Sequence, residues 1–230
     1  MRVTPLLAVI TALFVTVLIT ANIVAVKLIG VAGAVLPAAV VVFPVSYILA
    51  DVLTEVYGYS TARAVIWLAF ICNALAVLFF WVAGALPSAP VWDGQSAYQR
   101  ILGYTPRLLG ASFAGYLVGE FTNAFLLSRM KVATRGRWLW TRTIGSTIIG
   151  EGLDTIIFIT LAFAGTMPGN VLGRLMLNQW LAKVVFETLA TPFTYAAVRY
   201  LKRVEGLDSY DRQVSFNPLA VFGRRSAVRG

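Results

Sequence analysis

The sequence predicts an all-α integral membrane protein with six transmembrane helices, and three observations lead there. Apolar residues make up 59% of the 230 and charged ones only 13%, with a mean hydropathy of +0.79. A soluble domain carries about 25% charged residues because its whole surface meets water. Six stretches reach the ~20 residues that cross a hydrocarbon core as helix, at 6–29, 33–54, 63–86, 107–127, 143–166 and 171–201. The basic residues, finally, gather at the ends of these runs, as the positive-inside rule requires.

The first run follows a single charge, Arg2, and is too long for the core of a signal peptide, so it is read as a retained helix. The second run is interrupted by Pro37 and Pro44, and the last by Pro192. A proline inside a span removes one backbone hydrogen bond and reads as a kink, or as backbone beside a cavity. The link after the fourth run carries Arg129, Lys131, Arg135, Arg137 and Arg142, and the tail carries Arg199, Lys202, Arg203, Arg212, Arg224, Arg225 and Arg229. Both are expected in the cytoplasm, which places both termini inside a bacterial inner membrane. Residues 1–204 are thus read as the membrane domain and 205–230 as a basic cytoplasmic tail in contact with anionic lipid. The link 87–106, with Trp92, Tyr98 and Tyr104, suits the headgroup level.

Composition also excludes functions. The net charge of +9 lies at helix ends rather than in one basic domain, which argues against nucleic acid as a direct partner. With no histidine and one cysteine, Cys72, haem ligation, the usual zinc sites and an internal disulfide are excluded, so no cofactor or metal is expected. No nucleophile–histidine arrangement exists for catalysis, and the chain is read as no enzyme.

The informative residues are charges where lipid should be. Asp51, Glu55, Glu120, Glu151, Asp154 and Glu187 fall within predicted spans, with Lys27 and Lys183. Each charge costs about 2.5–3.5 kcal/mol near the bilayer centre, so they must face inward, pair, take up protons or sit at the interface. Asp51 and Glu55 share one helix face, as do Glu151 and Asp154, and Lys183 and Glu187. Interfacial water for Asp51 and Glu55, a self-neutralising Lys183–Glu187 pair and a snorkelling Lys27 are the structural alternatives. Gly119-Glu120-Phe121-Thr122-Asn123 echoes Gly150-Glu151-Gly152-Leu153-Asp154, and a glycine before each acid lets helices approach closely. Carboxylates in a cavity favour a cation, a proton or a neutral solute rich in N–H donors. Asn22, Asn73, Asn123, Asn178 and Gln179 would add amides, and Tyr47, Phe43, Phe121, Phe125, Phe158 and Trp180 would stack on a planar ring.

At these residues the chain resembles the queuosine precursor transporter family, also described as vitamin uptake proteins. The marks run from Ala21-Asn22-Ile23 and Lys27 to Phe43-Pro44-Val45-Ser46-Tyr47-Ile48, Asp51 and Glu55-Val56-Tyr57-Gly58. They continue through Arg107, Ala111-Ser112 and Gly119-Glu120 to Trp140-Thr141-Arg142-Thr143-Ile144-Gly145-Ser146-Thr147, Glu151, Asp154-Thr155, Phe158, Lys183 and Pro192. The resemblance implies import of a 7-deazaguanine, the 7-cyano or 7-aminomethyl base used for queuosine in tRNA. It also implies a six-helix fold similar to the substrate-binding subunits of energy-coupling-factor vitamin importers, acting without an ATPase module.

On that basis Glu151 is expected to receive the N–H edge of the base, with Glu120 second and Asn123 and Asn22 as amide contacts. Asp154 would orient a donor or carry a proton, Lys183 would balance charge and Tyr47 would stack on the ring. Lys27, Asp51, Glu55, Arg107 and Arg142 are candidates for gating or charge balance. Members commonly carry glutamine where this chain has Glu120 or Glu151, and aspartate where it has Asn123. That exchange keeps an acceptor but changes charge, so a mechanism needing a carboxylate there is not general to the family. The sequence admits a homodimer, and three rivals stay open: a subunit of an ATP-driven importer, a carboxylate-based membrane enzyme, and a pathway for protons or cations alone.

Overall fold

The computed structural model describes residues 4–31, 34–103, 106–166, 168–212 and 214–221. Arg2, Tyr104, Arg224, Arg225 and Arg229, singled out above, lie outside the described residues. Among the described residues seven α-helices follow in order: α1 (Pro5–Val24), α2 (Phe43–Tyr57), α3 (Tyr59–Ala85), α4 (Gln95–Leu102), α5 (Pro106–Ala133), α6 (Leu139–Phe163) and α7 (Gly169–Glu205). Between α1 and α2 runs an antiparallel hairpin of β1 (Leu28–Val31) and β2 (Ala34–Pro37), with Ile29 opposite Leu36, followed by one 3-10 turn at Ala38–Val41.

The membrane character rests on α1, α3 and α6, which are long and apolar enough to cross a bilayer. α5 and α7 are longer still, at 28 and 37 residues, but carry more charge. Large apolar side chains such as Leu13, Phe79, Ile149, Leu189 and Phe193 point outward, as lipid-facing surface requires. Inside, Phe14, Leu53, Val56, Tyr59, Ile66 and Phe121 form a core where α1, α2, α3 and α5 meet.

The second predicted span is corrected by the structure. It does not run as one helix from residue 33: helix begins only at Phe43, and β2 and the 3-10 turn occupy the first part of that stretch. The prolines explain the division. Pro37 ends β2, where a missing N–H costs little, and Pro44 stands in the first turn of α2, where the backbone N–H has no helical partner in any case. Pro192 does lie inside α7.

One end of the bundle collects the start of α1 with the ends of α2 and α7. Thr4, which caps α1, donates from Oγ1 to Glu205 Oε1 at 2.8 Å, and Tyr57 donates to the same oxygen at 3.2 Å. Residues beyond α7 return across this end. Asp211 accepts from the Tyr59 backbone N–H at 2.8 Å and from Ser128 Oγ at 2.7 Å, so it caps α3. Arg63 donates to the Ser215 and Asn217 carbonyls, both at 2.8 Å, and Trp67 to that of Pro218 at 2.9 Å. Gly58 makes the close approach possible: at φ 85° and ψ 164° it occupies a region essentially restricted to glycine, and a Cβ there would strike Ser209 and Asp211.

At the other end α4 folds back on α3, Gln95 donating to the Gly84 carbonyl at 2.9 Å and Tyr98 to that of Phe80 at 3.0 Å.

Candidate functional site

The close approach of α5 and α6 is set by their glycines. A Cβ on Gly150 would come within 2.9 Å of the Gly119 carbonyl oxygen and 2.9 Å of Asn123 Cβ. The two Gly-Glu repeats therefore face each other across a tight crossing, and each acid is carried near the middle of its helix. α7 packs on α6 beside it, where Trp180 donates to the Ile148 carbonyl at 2.9 Å.

At this crossing Lys183 of α7 reaches both acids of α6. Its Nζ lies 2.7 Å from Glu151 Oε2 and in direct ion-pair contact with Asp154 Oδ2. The three side chains are largely buried, at 7%, 12% and 22% exposure for Lys183, Glu151 and Asp154. The ammonium also sits 5.8 Å from the centre of the Phe43 ring, a cation–π distance, and Phe43 is stacked with Tyr47 at 6.0 Å. The Tyr47 hydroxyl is buried and has no hydrogen-bond partner among the described residues. The alternative of a self-neutralising Lys183–Glu187 pair gives way to bridges between helices: i,i+4 spacing permits a contact, but two carboxylates on α6 hold the ammonium more strongly than one on its own helix.

Glu187 is fully buried and meets the carboxyl group of Asp51 on α2. Neither Glu187 carboxyl oxygen, nor Asp51 Oδ2, accepts a hydrogen bond from a donor among the described residues. Asp51 is 1% exposed, so it does not meet interfacial water as the sequence allowed. Among the described residues Glu120 makes no hydrogen bond or ion pair and the buried Oδ1 of Asn123 has no partner; together they border a small hollow of about 10 Å³. Phe14, Leu53, Thr54 and Ile66 complete much of its wall. That volume holds about one water molecule, so a planar base needs the helices to part. A larger groove of about 530 Å³ lies between α3 and α4, lined by Leu78, Phe80, Trp81 and Tyr98, away from these charges.

Glu55 lies in a second cluster, at the end of the bundle. Its Oε1 faces Arg142 Nη2 at 3.1 Å, Lys202 Nζ at 2.8 Å and Lys131 Nζ at 3.5 Å. Lys131 and Lys202 also bind Asp208 Oδ1, at 2.5 and 2.8 Å, and Lys131 donates to the Glu55 and Ser209 carbonyls at 2.5 and 2.7 Å. Burial pushes the Asp208 carboxyl up, but hydrogen bonds from Lys131 and Lys202 outweigh it and hold the group below the usual carboxylate range.

The structure therefore brings Glu151, Asp154, Lys183 and Tyr47 together, places Glu120 and Asn123 on the adjoining helix, and sets Asp51 against Glu187. Other candidates go elsewhere. Asn22 donates to Asn73 Oδ1 at 3.1 Å between α1 and α3. Lys27 is exposed beside the hairpin. Arg107 donates to the Leu161 and Ala164 carbonyls at the end of α6, closing that helix's free acceptors. Glu55 and Arg142 belong to the end cluster. Sequence reasoning did not anticipate that Glu187 meets Asp51, placed Lys131 and Lys202 only among the cytoplasmic basic residues, and did not single out Asp208. The available signal was three acids, Glu205, Asp208 and Asp211, at the start of an otherwise basic tail.

Comparison with known proteins identifies the family. A family model described as "Putative vitamin uptake transporter" matches residues 37–197, more than half of the chain. A "Probable queuosine precursor transporter" of Bacillus subtilis (strain 168) is 28% identical over 190 residues, 81% of this chain and 82% of the relative. The "Queuosine precursor transporter" of Escherichia coli (strain K12) is 27% identical over 121 residues, 53% of this chain and 52% of the relative. No solved structure matches.

Proposed function

The chain belongs to the vitamin uptake transporter family, and we propose that it imports a queuosine precursor, a 7-deazaguanine base, across the bacterial inner membrane. The observation that carries this reading is the buried Glu151–Lys183–Asp154 group under the Phe43 ring. A guanine-like edge presents adjacent N–H donors beside one carbonyl acceptor. Glu151 accepts the N–H groups bidentately, while Lys183, kept charged by Asp154, turns to the carbonyl oxygen. Tyr47 and Phe43 offer faces for the planar ring, and Asn123 brings an acceptor whose partner the base can supply.

In this reading α1, α2, α3, α5, α6 and α7 are the six crossings, with both termini in the cytoplasm and the start of α1 and the end of α7 on the side of the Glu55 cluster. α2, with 15 residues, spans about 22 Å, short of a hydrocarbon core of about 30 Å. The hairpin before it then lies at or near membrane depth. Non-helical backbone is tolerated there only where protein buries it or a water-filled cavity adjoins it, which suits an entry path between α1 and α2.

The test is the queuosine content of tRNA in bacteria lacking both deazaguanine synthesis and their own transporter. Expressing this chain with trace 7-cyano-7-deazaguanine in the medium restores queuosine, with no ATPase partner supplied. Glu151→Ala inserts in the membrane but restores none. Restoration by that variant removes Glu151 from the site, and no restoration by the natural chain, once located in the membrane, removes the substrate.

A further inference from the structure

We propose that Asp51 and Glu187 form a proton-binding pair, and that release of this proton is coupled to movement of the solute; the coupling half rests on the transport reading above. The two acids come from different helices, α2 and α7, and are 1% and 0% exposed. Their carboxyl groups meet, yet no donor among the described residues reaches either Glu187 carboxyl oxygen or Asp51 Oδ2. Two carboxylate oxygens in contact are both acceptors, and only a proton between them turns the contact into a hydrogen bond.

The groups facing the pair do not offer another solution. Glu120 approaches from α5 and Glu151 from α6, while Glu55 lies one turn along α2 and the Tyr47 phenol one turn back. Glu55 is held by Arg142, Lys131 and Lys202. Lys183, one turn before Glu187, is held by Glu151 and Asp154. The pair thus has acidic neighbours, and the nearby described cations are committed elsewhere. No group of three or more acids among the described residues is arranged to hold a metal ion, which favours a proton over a hard cation needing six or more oxygens.

The position of the pair gives its proton a consequence. When the proton leaves, two negative charges face each other in a low-dielectric interior, and repulsion drives α2 and α7 apart. The same event places a free carboxylate four residues from Lys183, within reach of its ammonium. Lys183 then transfers from Glu151 to Glu187, and the grip on the base is lost. α7 is built to bend just there. Pro192 withholds a backbone hydrogen bond from the Thr188 carbonyl, and Thr188, Thr191 and Thr194 each turn a hydroxyl back to a carbonyl four residues earlier.

Two measurements on the purified full-length chain test the proposal. Infrared difference spectra of the natural chain at neutral pH should contain the carbonyl stretch of a protonated carboxylic acid, shifted in heavy water and lost in both Asp51→Asn and Glu187→Gln. Its absence in the natural chain, or its persistence in both variants, overturns the pair. In liposomes, a gradient of about one pH unit should drive about tenfold accumulation of 7-cyano-7-deazaguanine if one proton accompanies each base. Glu187→Gln should lose that accumulation and keep base-for-base exchange. Exchange by the natural chain with no response to the gradient overturns the coupling and leaves the transport reading standing. If the natural chain exchanges no deazaguanine, the substrate reading fails and with it the coupling to that solute; the proton-binding pair is then decided by the infrared band alone.

Discussion

The two buried charge clusters of this molecule are opposites. At the mid-bundle crossing, Asp51, Glu120, Glu151, Asp154 and Glu187 stand with one cation, Lys183. At the bundle end, Arg142, Lys131 and Lys202 share the two acids Glu55 and Asp208. Both hold buried polar atoms without a partner among the described residues, Glu55 Oε2 with Arg142 Nε and Nη1 at the end, and the Glu187 carboxyl oxygens with the Tyr47 hydroxyl at the crossing. The difference lies in the acids: at the end each is bridged to a cation, across α2, α5, α6, α7 and the returning tail, while at the crossing Asp51, Glu120 and Glu187 have no ion pair among the described residues. A cluster with matched partners acts as a fastener. One with unmatched partners responds to whatever arrives, whether a proton or a donor-rich solute.

Breaking the fastener should cost the most. Glu55→Ala leaves Arg142 and Lys131 buried without their shared acid, and losing one member of a buried ion pair costs about 3–5 kcal/mol. The expected outcome is loss of folded protein from the membrane, read by thermal stability in detergent. The matching change at the crossing, Glu151→Gln, keeps an acceptor for Lys183 and should leave the folded amount near normal while uptake falls. A stable Glu55→Ala variant would remove the distinction between the two regions.

The tight crossing offers an intermediate effect. Gly150→Ala puts a methyl against the Gly119 carbonyl and Asn123, and such overpacking costs about 1–3 kcal/mol. α5 and α6 should separate, so that uptake declines more steeply than stability does.

The smallest effect belongs to Asp208, whose side chain is 43% exposed. Its carboxyl is held low by Lys131 and Lys202, so its stabilisation is present above the ordinary carboxylate range, about pH 4, and fades as pH falls through the lowered value. Asp208→Asn should therefore lower the melting temperature slightly at neutral pH, and the difference from the natural chain should close in acid. A gap that widens in acid would contradict the assigned ion pairs.

How far the sequence reveals this comparison depends on the range of each contact. α1, α3 and α6 are legible because long apolar runs need no partner to be recognised. The start of α2 is not: residues 28–42 are apolar without a helical period, and that pattern fits strand, turn or helix equally. The facing Gly-Glu repeats are visible in the sequence, and the structure sets their glycines against each other. The Asp51–Glu187 meeting is not visible, because it joins residues far apart in the chain with no local signature. Nor is the choice Lys183 makes between Glu187 on its own helix and the two acids of α6. The tail hides its role for the same reason: Asp211 reads as a surface acid until Gly58 and the start of α3 are placed beside it.

The most direct test of the central claim, that the acid-rich crossing receives a deazaguanine, is ligand-induced stabilisation of the purified chain and of Glu151→Ala. At a concentration about 100 times its dissociation constant a ligand stabilises the folded state by about 2.7 kcal/mol. The account predicts a higher melting temperature for the natural chain with 7-cyano-7-deazaguanine and no change for the variant. An equal rise in both, or no rise in either, would contradict it.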